Sequence, residues 1–110
     1  MSETALSKSI KTALEKSGYP VLRLQSGRVQ LQSGHWMVLC PKGTPDLLVL
    51  PMRAFVEVKQ PGMVDRNRGH GTKEAQAEFR RYCENNDIPH AVVTSASEAL
   101  AFVRGVESKA

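Results

Sequence analysis

The sequence predicts an α/β domain in which helices flank a central mixed β-sheet. Two consecutive apolar runs, LLVL at 47–50 and AFVEVK at 54–59, are typical of strands buried on both faces. A helix-like pattern then separates residue 59 from a third strand-like run at 88–94, so the helix can form a crossover between parallel strands. The predicted order is α-β-β-β-α-β-α, in a single domain spanning residues 1–110.

The N-terminal third predicts a helix followed by short strands. Ser2 is placed as the N-cap of this helix and Gly18 as its C-terminal cap. The region 21–40 is interrupted by turn signals at Ser26-Gly27 and Ser33-Gly34, which favours a meander of two or three strands. The apolar stripe of the helix, spaced i, i+4, i+7 and i+8, consists of Leu6, Ile10, Ala13 and Leu14.

The C-terminal half alternates loop, helix, strand and helix. Only a few residues separate the two apolar runs, so they are expected to pair as a hairpin. Residues 61–71 contain three glycines and predict a loop. A helix is expected from Thr72, as N-cap, to Asn85, and Ser95 with Glu98 forms a capping-box pattern for a last helix that ends near Val106.

Composition narrows the class of protein. With 110 residues and 41% hydrophobic content, the chain can form one packed core. The net charge of +4 is compatible with a polyanionic partner. Two cysteines without a CxxC pair argue against a disulfide framework or a zinc site. The polar N-terminus and short apolar runs predict a cytoplasmic protein without signal peptide or membrane span.

Three charged residues lie within or beside the apolar runs, where a charge is costly unless it is paired or binds something. Glu57 and Lys59 are two apart in a strand and project to the same face, while Asp46 begins the preceding strand of the hairpin. Two carboxylates and one ammonium therefore converge. This set suits Mg²⁺, with the main-chain carbonyl of Val58 as a further ligand. Lys59 could hold or help deprotonate an attacking water.

A structural interpretation of each residue stays open. Lys59 could simply pair with Glu57, and Asp46 could cap the turn after Pro45. The ordered combination of a Gly-x-Pro-Asp turn, an apolar strand, a short hairpin and a Glu-x-Lys strand favours a functional site.

This ordered set resembles the PD-(D/E)xK nuclease superfamily, and within it the VRR-NUC family. The matching segments are Gly43-Thr44-Pro45-Asp46-Leu47, Glu57-Val58-Lys59, a glycine-containing loop, Gln76 in TKEAQAEF, and the ending IPHAVVTSASEAL. The resemblance covers nearly the whole chain and implies a restriction-endonuclease-like core.

The resemblance also implies roles for individual residues. Asp46 and Glu57 are expected to bind Mg²⁺ or Mn²⁺, with Lys59 as the catalytic lysine. Gln76 is expected to reach the site from the crossover helix, against the alternative of an ordinary helix-surface glutamine. Glu3 is either a further metal ligand or a favourable charge at the start of its helix.

The basic loop is the predicted DNA contact, because cationic side chains beside flexible glycines can approach phosphates closely. An ordinary solvated loop is the alternative. Arg28 could extend this surface, and Trp36 is expected in the core or at a dimer contact. The predicted DNA-binding residues are Arg66, Arg68, His70, Lys73 and Arg23.

The implied activity is metal-dependent endonucleolytic cleavage of DNA, selective for branched structures such as Holliday junctions or flaps. Cutting both arms of a junction needs two active sites, which predicts a homodimer. By analogy, the setting would be a bacterial or phage-infected cell. Two alternatives remain: a catalytically silent nucleic-acid-binding module of the same fold, and a structural domain whose charges form salt bridges.

Overall fold

The computed structural model describes residues 2–25, 27–62 and 70–109, and of residues 70–73 it describes only the main chain. The described chain contains helices α1 to α3 and strands β1 to β6. In chain order they are α1 Glu3–Lys16, β1 Val21–Arg23, β2 Arg28–Gln30, β3 Trp36–Val38, β4 Leu47–Val49, β5 Ala54–Val58, α2 His70–Asn85, β6 His90–Val93 and α3 Ala96–Lys109.

A four-stranded mixed sheet with the order β1-β4-β5-β6 forms the centre of the fold. β4 and β5 pair antiparallel, with Leu47 opposite Val56, and β5 and β6 pair parallel. The predicted hairpin and the predicted crossover are therefore both confirmed. β5 lies between two strands, which explains its nearly continuous apolar sequence.

The predicted order α-β-β-β-α-β-α is wrong in the number of strands. The described chain has five strands before α2, because the region 21–40 divides into three pieces. β1 joins the central sheet, whereas β2 and β3 form a separate two-stranded sheet. Gly27 and Gly34 have positive φ, the conformation that glycine adopts most easily at turns, and each interrupts the extended chain. Two helix limits also differ: α2 begins at His70, and α3 continues to Lys109.

Alternate residues of β5 point to opposite faces of the sheet. Val56 and Val58 are fully buried in the main core. On the other face, the ring of Phe55 meets Phe79 of α2 edge-on, with 5.0 Å between centroids. Helices α1 and α3 contribute to the main core, and its members are Ile10, Leu14, Tyr19, Val21, Leu47, Val49, Ala54, Val56, Val58, Val93, Ala99 and Val103.

The predicted N-caps of α1 and α3 are present, whereas Thr72, predicted as the N-cap of α2, lies inside that helix, which begins at His70. The Ser2 hydroxyl accepts a hydrogen bond from the Ala5 amide at 3.1 Å. Ser95 accepts one from the Glu98 amide at 3.2 Å, and the Glu98 carboxylate accepts one from the Thr94 amide at 2.7 Å. Hydrogen bonds from the Thr94 hydroxyl and amide lower the pKa of Glu98. None of the described helices has the length and apolar character needed to cross a membrane.

The Glu98 cap predicts a pH-dependent contribution to stability. A lowered folded pKa means that the contribution is complete above the ordinary value of 4.5 and is lost as the pH falls through the folded value. We expect Glu98→Gln to lower the melting temperature at neutral pH, and the difference from wild type to shrink below pH 4.5. Thermal unfolding followed by circular dichroism over a pH series measures this. Glu78→Gln, at an exposed carboxylate on α2, is the control. A Glu98→Gln difference that is constant with pH would contradict the assignment.

Candidate active site

The start of β4 and the end of β5 form the centre of the candidate site. The Phe55 amide donates to Pro89 on the β6 side, so the amides of residues 54, 56 and 58 point toward β4. Leu47 is the first residue of β4 and lies opposite Val56. Val58 therefore extends past the end of β4, and its amide donates instead to Asp46 Oδ2 at 2.7 Å. This hydrogen bond fixes the Asp46 carboxylate beside β5.

The same register determines the direction of the Val58 carbonyl. The N–H and C=O groups of one strand residue point to the same edge, so this carbonyl also points toward Asp46. Continuing the pairing by two residues would place Pro45 opposite Val58. Proline has no N–H to donate. The sequence Pro45-Asp46 thus removes one backbone donor and supplies one carboxylate at the same point.

Glu57 and Lys59 lie on the face of β5 that is covered by α2. Their side chains are only 7% and 6% exposed, and Lys59 Nζ is 3.9 Å from Glu57 Oε2. The Lys59 amide donates to the Val93 carbonyl at 2.9 Å, so β6 holds the main chain at this point. The sequence correctly predicted that both side chains share one face. It did not predict that the pair would be so completely enclosed.

Gln76 reaches this pair from the crossover helix. It is 8% exposed, and its Oε1 accepts a hydrogen bond from Lys59 Nζ at 3.3 Å. The predicted proximity of Gln76 to Lys59 is therefore observed, and the alternative of a surface glutamine does not apply. Glu57, Lys59 and Gln76 therefore lie together between β5 and α2, and Asp46 lies at the edge of β5.

Gly43 is a positioning residue whose role sequence reasoning missed. A β-carbon at this position would lie 2.5 Å from the carbonyl carbon and 2.6 Å from the carbonyl oxygen of Ala75. The Gly-x-Pro-Asp turn therefore packs directly on the main chain of α2, one residue before Gln76. The glycine in the Gly-x-Pro-Asp turn indicated a special position, but motif spacing alone does not predict its contact with Ala75, 32 residues further along the chain.

The donors at the site fit a hard divalent cation better than zinc. Two carboxylates and a main-chain carbonyl match Mg²⁺, which keeps several waters and takes one or two carboxylates plus substrate phosphate. Among the described residues, no group of three or more histidine, cysteine, aspartate or glutamate side chains could hold a metal. Glu3 does not complete such a group with Asp46 and Glu57. Its role as a ligand stays a prediction.

The predicted DNA-binding residues can be followed only in part. Arg66 and Arg68 lie outside the described residues, and of His70 and Lys73 only the main chain is described, in the first turn of α2. Arg23 is exposed and lies opposite Leu47, so its side chain projects from the face of the sheet that carries Val56 and not from the face that carries Glu57 and Lys59. The Leu24 amide donates to the Asp46 carbonyl at 2.7 Å, which holds β1 at this end of the sheet.

Comparison of the chain with protein-family models, with curated protein sequences and with solved structures gave no match. The family resemblance therefore depends on the motif residues and on their arrangement.

The Gly43 contact predicts a specific mutational effect. We expect Gly43→Ala to push the turn away from α2 and to destabilise the chain by about 2–5 kcal/mol, the sum of overpacking and of left-handed strain. Urea denaturation followed by circular dichroism measures the free energy of unfolding.

Gly34→Ala is the matched control, because Gly34 has φ +92° and Gly43 has φ +89°, but nothing lies within 4 Å of a β-carbon at Gly34. This control retains the backbone strain, about 1–2 kcal/mol, without the clash. Equal losses in the two variants would show that contact with Ala75 does not constrain the turn.

Proposed function

We propose that this protein is a Mg²⁺-dependent endonuclease that hydrolyses phosphodiester bonds in DNA, with a restriction-endonuclease-like core of the VRR-NUC type. The observation that supports this best is the burial of Glu57, Lys59 and Gln76 together beside an Asp46 carboxylate fixed by main-chain hydrogen bonding. The mixed sheet with a parallel crossover is the framework that the proposal requires.

The geometry of Lys59 disfavours a purely structural salt bridge. An ammonium group has three donors, and the described residues supply one hydrogen bond, at 3.3 Å, and a carboxylate oxygen at 3.9 Å. The first distance is at the long end of the hydrogen-bonding range, and the second lies beyond it. As a structural ion pair alone, this arrangement uses only one donor of a buried ammonium among the described residues. It is well placed to approach an additional anionic group, such as a phosphate oxygen.

Each residue can then be given a chemical role. Asp46 would bind the cation through a carboxylate whose orientation is fixed by the hydrogen bond that it accepts from the Val58 amide, and Glu57 and the Val58 carbonyl would complete the protein ligands. When bound, Mg²⁺ would supply Lewis acidity and compensate the charge that builds on the phosphate. Lys59 orients the attacking water or stabilises that same charge. Gln76 holds the Lys59 ammonium in place.

The proposed substrate is branched DNA, such as a four-way junction or a flap. Arg23 is exposed at the same end of the sheet, on the face opposite to Glu57 and Lys59, where it can contact a phosphate of the flanking DNA without reading sequence. Two copies of the chain acting together would cut both arms of a junction. The alternative is a DNA-binding module of the same fold without catalytic activity, and a cleavage assay distinguishes it from a nuclease.

Cleavage assays test the proposed activity directly. Labelled four-way junction, flap, single-stranded and linear duplex DNA are incubated with Mg²⁺ or Mn²⁺, and with EDTA. We expect metal-dependent cleavage that falls by about 10²- to 10³-fold in Lys59→Ala, the usual cost of removing one group that stabilises charge in the transition state.

Lys8→Ala removes an exposed lysine on α1 and is expected to cleave like wild type. DNA binding without cleavage by the wild-type protein would support the silent module. If the wild-type protein neither binds nor cleaves DNA, the remaining interpretation is a structural domain whose charges form salt bridges.

Metal binding can be measured without activity. A cation that binds only the folded chain stabilises it by RT ln(1 + [L]/Kd), about 2.7 kcal/mol at 100 times Kd. We expect Mn²⁺ to raise the melting temperature of wild type and to have little effect on Asp46→Asn.

Asparagine retains an oxygen that can accept from the Val58 amide, so this variant removes the charge and not the hydrogen bond. Asp87→Asn, at an exposed aspartate near the other end of β6, is the control and should respond like wild type. An equal response in Asp46→Asn would place the cation elsewhere.

A further inference from the structure

The two-stranded sheet formed by β2 and β3, together with the turn that joins them, is the most exposed part of the described chain. We call residues 28–38 the hairpin arm. Every residue of this arm is exposed, and β3 pairs only with β2 among the described strands. A two-stranded hairpin is marginally stable in water unless something covers it. Trp36, expected in the core or at a dimer contact, is not in the core.

The hairpin arm is unusually apolar for an exposed segment. Its large apolar side chains are between 37% and 75% exposed, and they are Val29, Leu31, Trp36, Met37 and Val38. Only Arg28 carries a formal charge, and its guanidinium lies 5.2 Å from the centre of the Trp36 ring. Clusters of this kind on a small protein are typical of contact surfaces.

The hydrogen-bond register defines which edge of β3 is open. The Leu31 amide donates to the His35 carbonyl, and the Leu39 amide donates to the Gly27 carbonyl. Hydrogen-bonded pairs alternate along an antiparallel ladder, so Val29 and Met37, which lie between these two bonded pairs, form a third one. The intervening residues of β3, Trp36 and Val38, therefore turn their N–H and C=O groups away from β2. No described strand pairs with these groups.

We infer that the open edge of β3 pairs with β3 of a second copy of this chain, antiparallel and about a two-fold axis at Met37. This register places Trp36 opposite Val38 of the second copy, and Val38 opposite Trp36 of the second copy. The outward backbone groups of Trp36 and Val38 then form the ladder. The product is a four-stranded sheet with the order β2-β3-β3-β2.

The side chains at this edge are complementary to themselves. Each Trp36–Val38 pair joins an aromatic to a β-branched residue, a favourable cross-strand combination. The edge of β2 is less suitable, because its outward-facing residues are Arg28 and Gln30, which are polar. β3 is therefore the strand that fits an apolar, symmetric contact.

The charge distribution favours a second copy over nucleic acid. Nucleic-acid surfaces depend on several cations, and the hairpin arm has one. In the proposed sheet, the two β2 strands, each of which carries an Arg28, are separated by three strand spacings, about 14 Å. This exceeds the screening length of about 8 Å at physiological ionic strength, so like charges do not oppose pairing.

This contact lies outside the candidate active site and does not depend on the proposed nuclease activity. It would bring two copies of the site into one particle through a surface that leaves Asp46 and Lys59 uninvolved.

Disulfide trapping tests the register. In the proposed pairing, Met37 faces Met37 of the second copy as a non-hydrogen-bonded pair, with Cα atoms about 4.5 Å apart. Disulfides span about 4.4–6.8 Å between Cα atoms. In a Cys40→Ser background, we expect Met37→Cys to form a covalent dimer under mild oxidation. Non-reducing electrophoresis reads the result.

Val29→Cys is the matched control, because Val29 lies opposite Met37 within the same arm but one strand further from the axis. Its two copies would be about 14 Å apart, too far for a disulfide. Equal cross-linking of Val29→Cys and Met37→Cys, or none of Met37→Cys, would overturn the proposed pairing.

Sedimentation velocity tests the association without cysteine variants. Wild type is expected to be a dimer, and Trp36→Lys to dissociate at least about tenfold more readily. Tyr82→Lys is the control, since Tyr82 is 60% exposed and Trp36 is 58% exposed. Circular dichroism verifies that both variants fold. A monomeric wild type, or dissociation by Tyr82→Lys alone, would contradict the inference.

Discussion

The hydrogen bond from the Val58 amide to Asp46 Oδ2 is the interaction on which the candidate site depends. β5 continues past the point where β4 begins, so this amide has no strand neighbour on that side. A side-chain carboxylate takes the place of the missing carbonyl. The same bond fixes the orientation of the carboxylate, and Pro45 cannot donate to the adjacent Val58 carbonyl. The proposed cation would use these two oxygens, one from the Asp46 carboxylate and one from the Val58 carbonyl.

The alternation of β5 links this irregularity to the rest of the fold. Val56 and Val58 are buried in the main core, which fixes the strand, while Glu57 and Lys59 project under α2. The position of α2 matters because Gln76 must reach Lys59. Gly43 sets that position by direct contact with the main chain at Ala75. The turn that carries Asp46 and the helix that carries Gln76 are therefore packed as one unit.

Features governed by local pattern could be predicted from the sequence. The β4–β5 hairpin followed from two apolar runs with a short connection, and the common face of Glu57 and Lys59 followed from strand period. The caps at Ser2 and Ser95 followed from residue type. Each of these depends on residues close together in the chain.

Features governed by tertiary packing could not be predicted in the same way. The contact between Gly43 and Ala75, and the burial of Gln76, depend on how α2 crosses the sheet. The separation of β2 and β3 from the central sheet depends on a choice between strand partners that local propensity does not decide. The strand count was wrong for that reason, and Trp36 is exposed where apolar character alone would suggest a core.

The most direct test of the central claim is a crystal structure of the protein with Mn²⁺, using anomalous scattering to locate the metal. The account predicts a peak within coordination distance of oxygens of Asp46 and Glu57 and of the Val58 carbonyl. It would be contradicted by a peak away from these atoms. It would also be contradicted by no peak at saturating Mn²⁺, with Lys59 and Glu57 closed into a short ion pair.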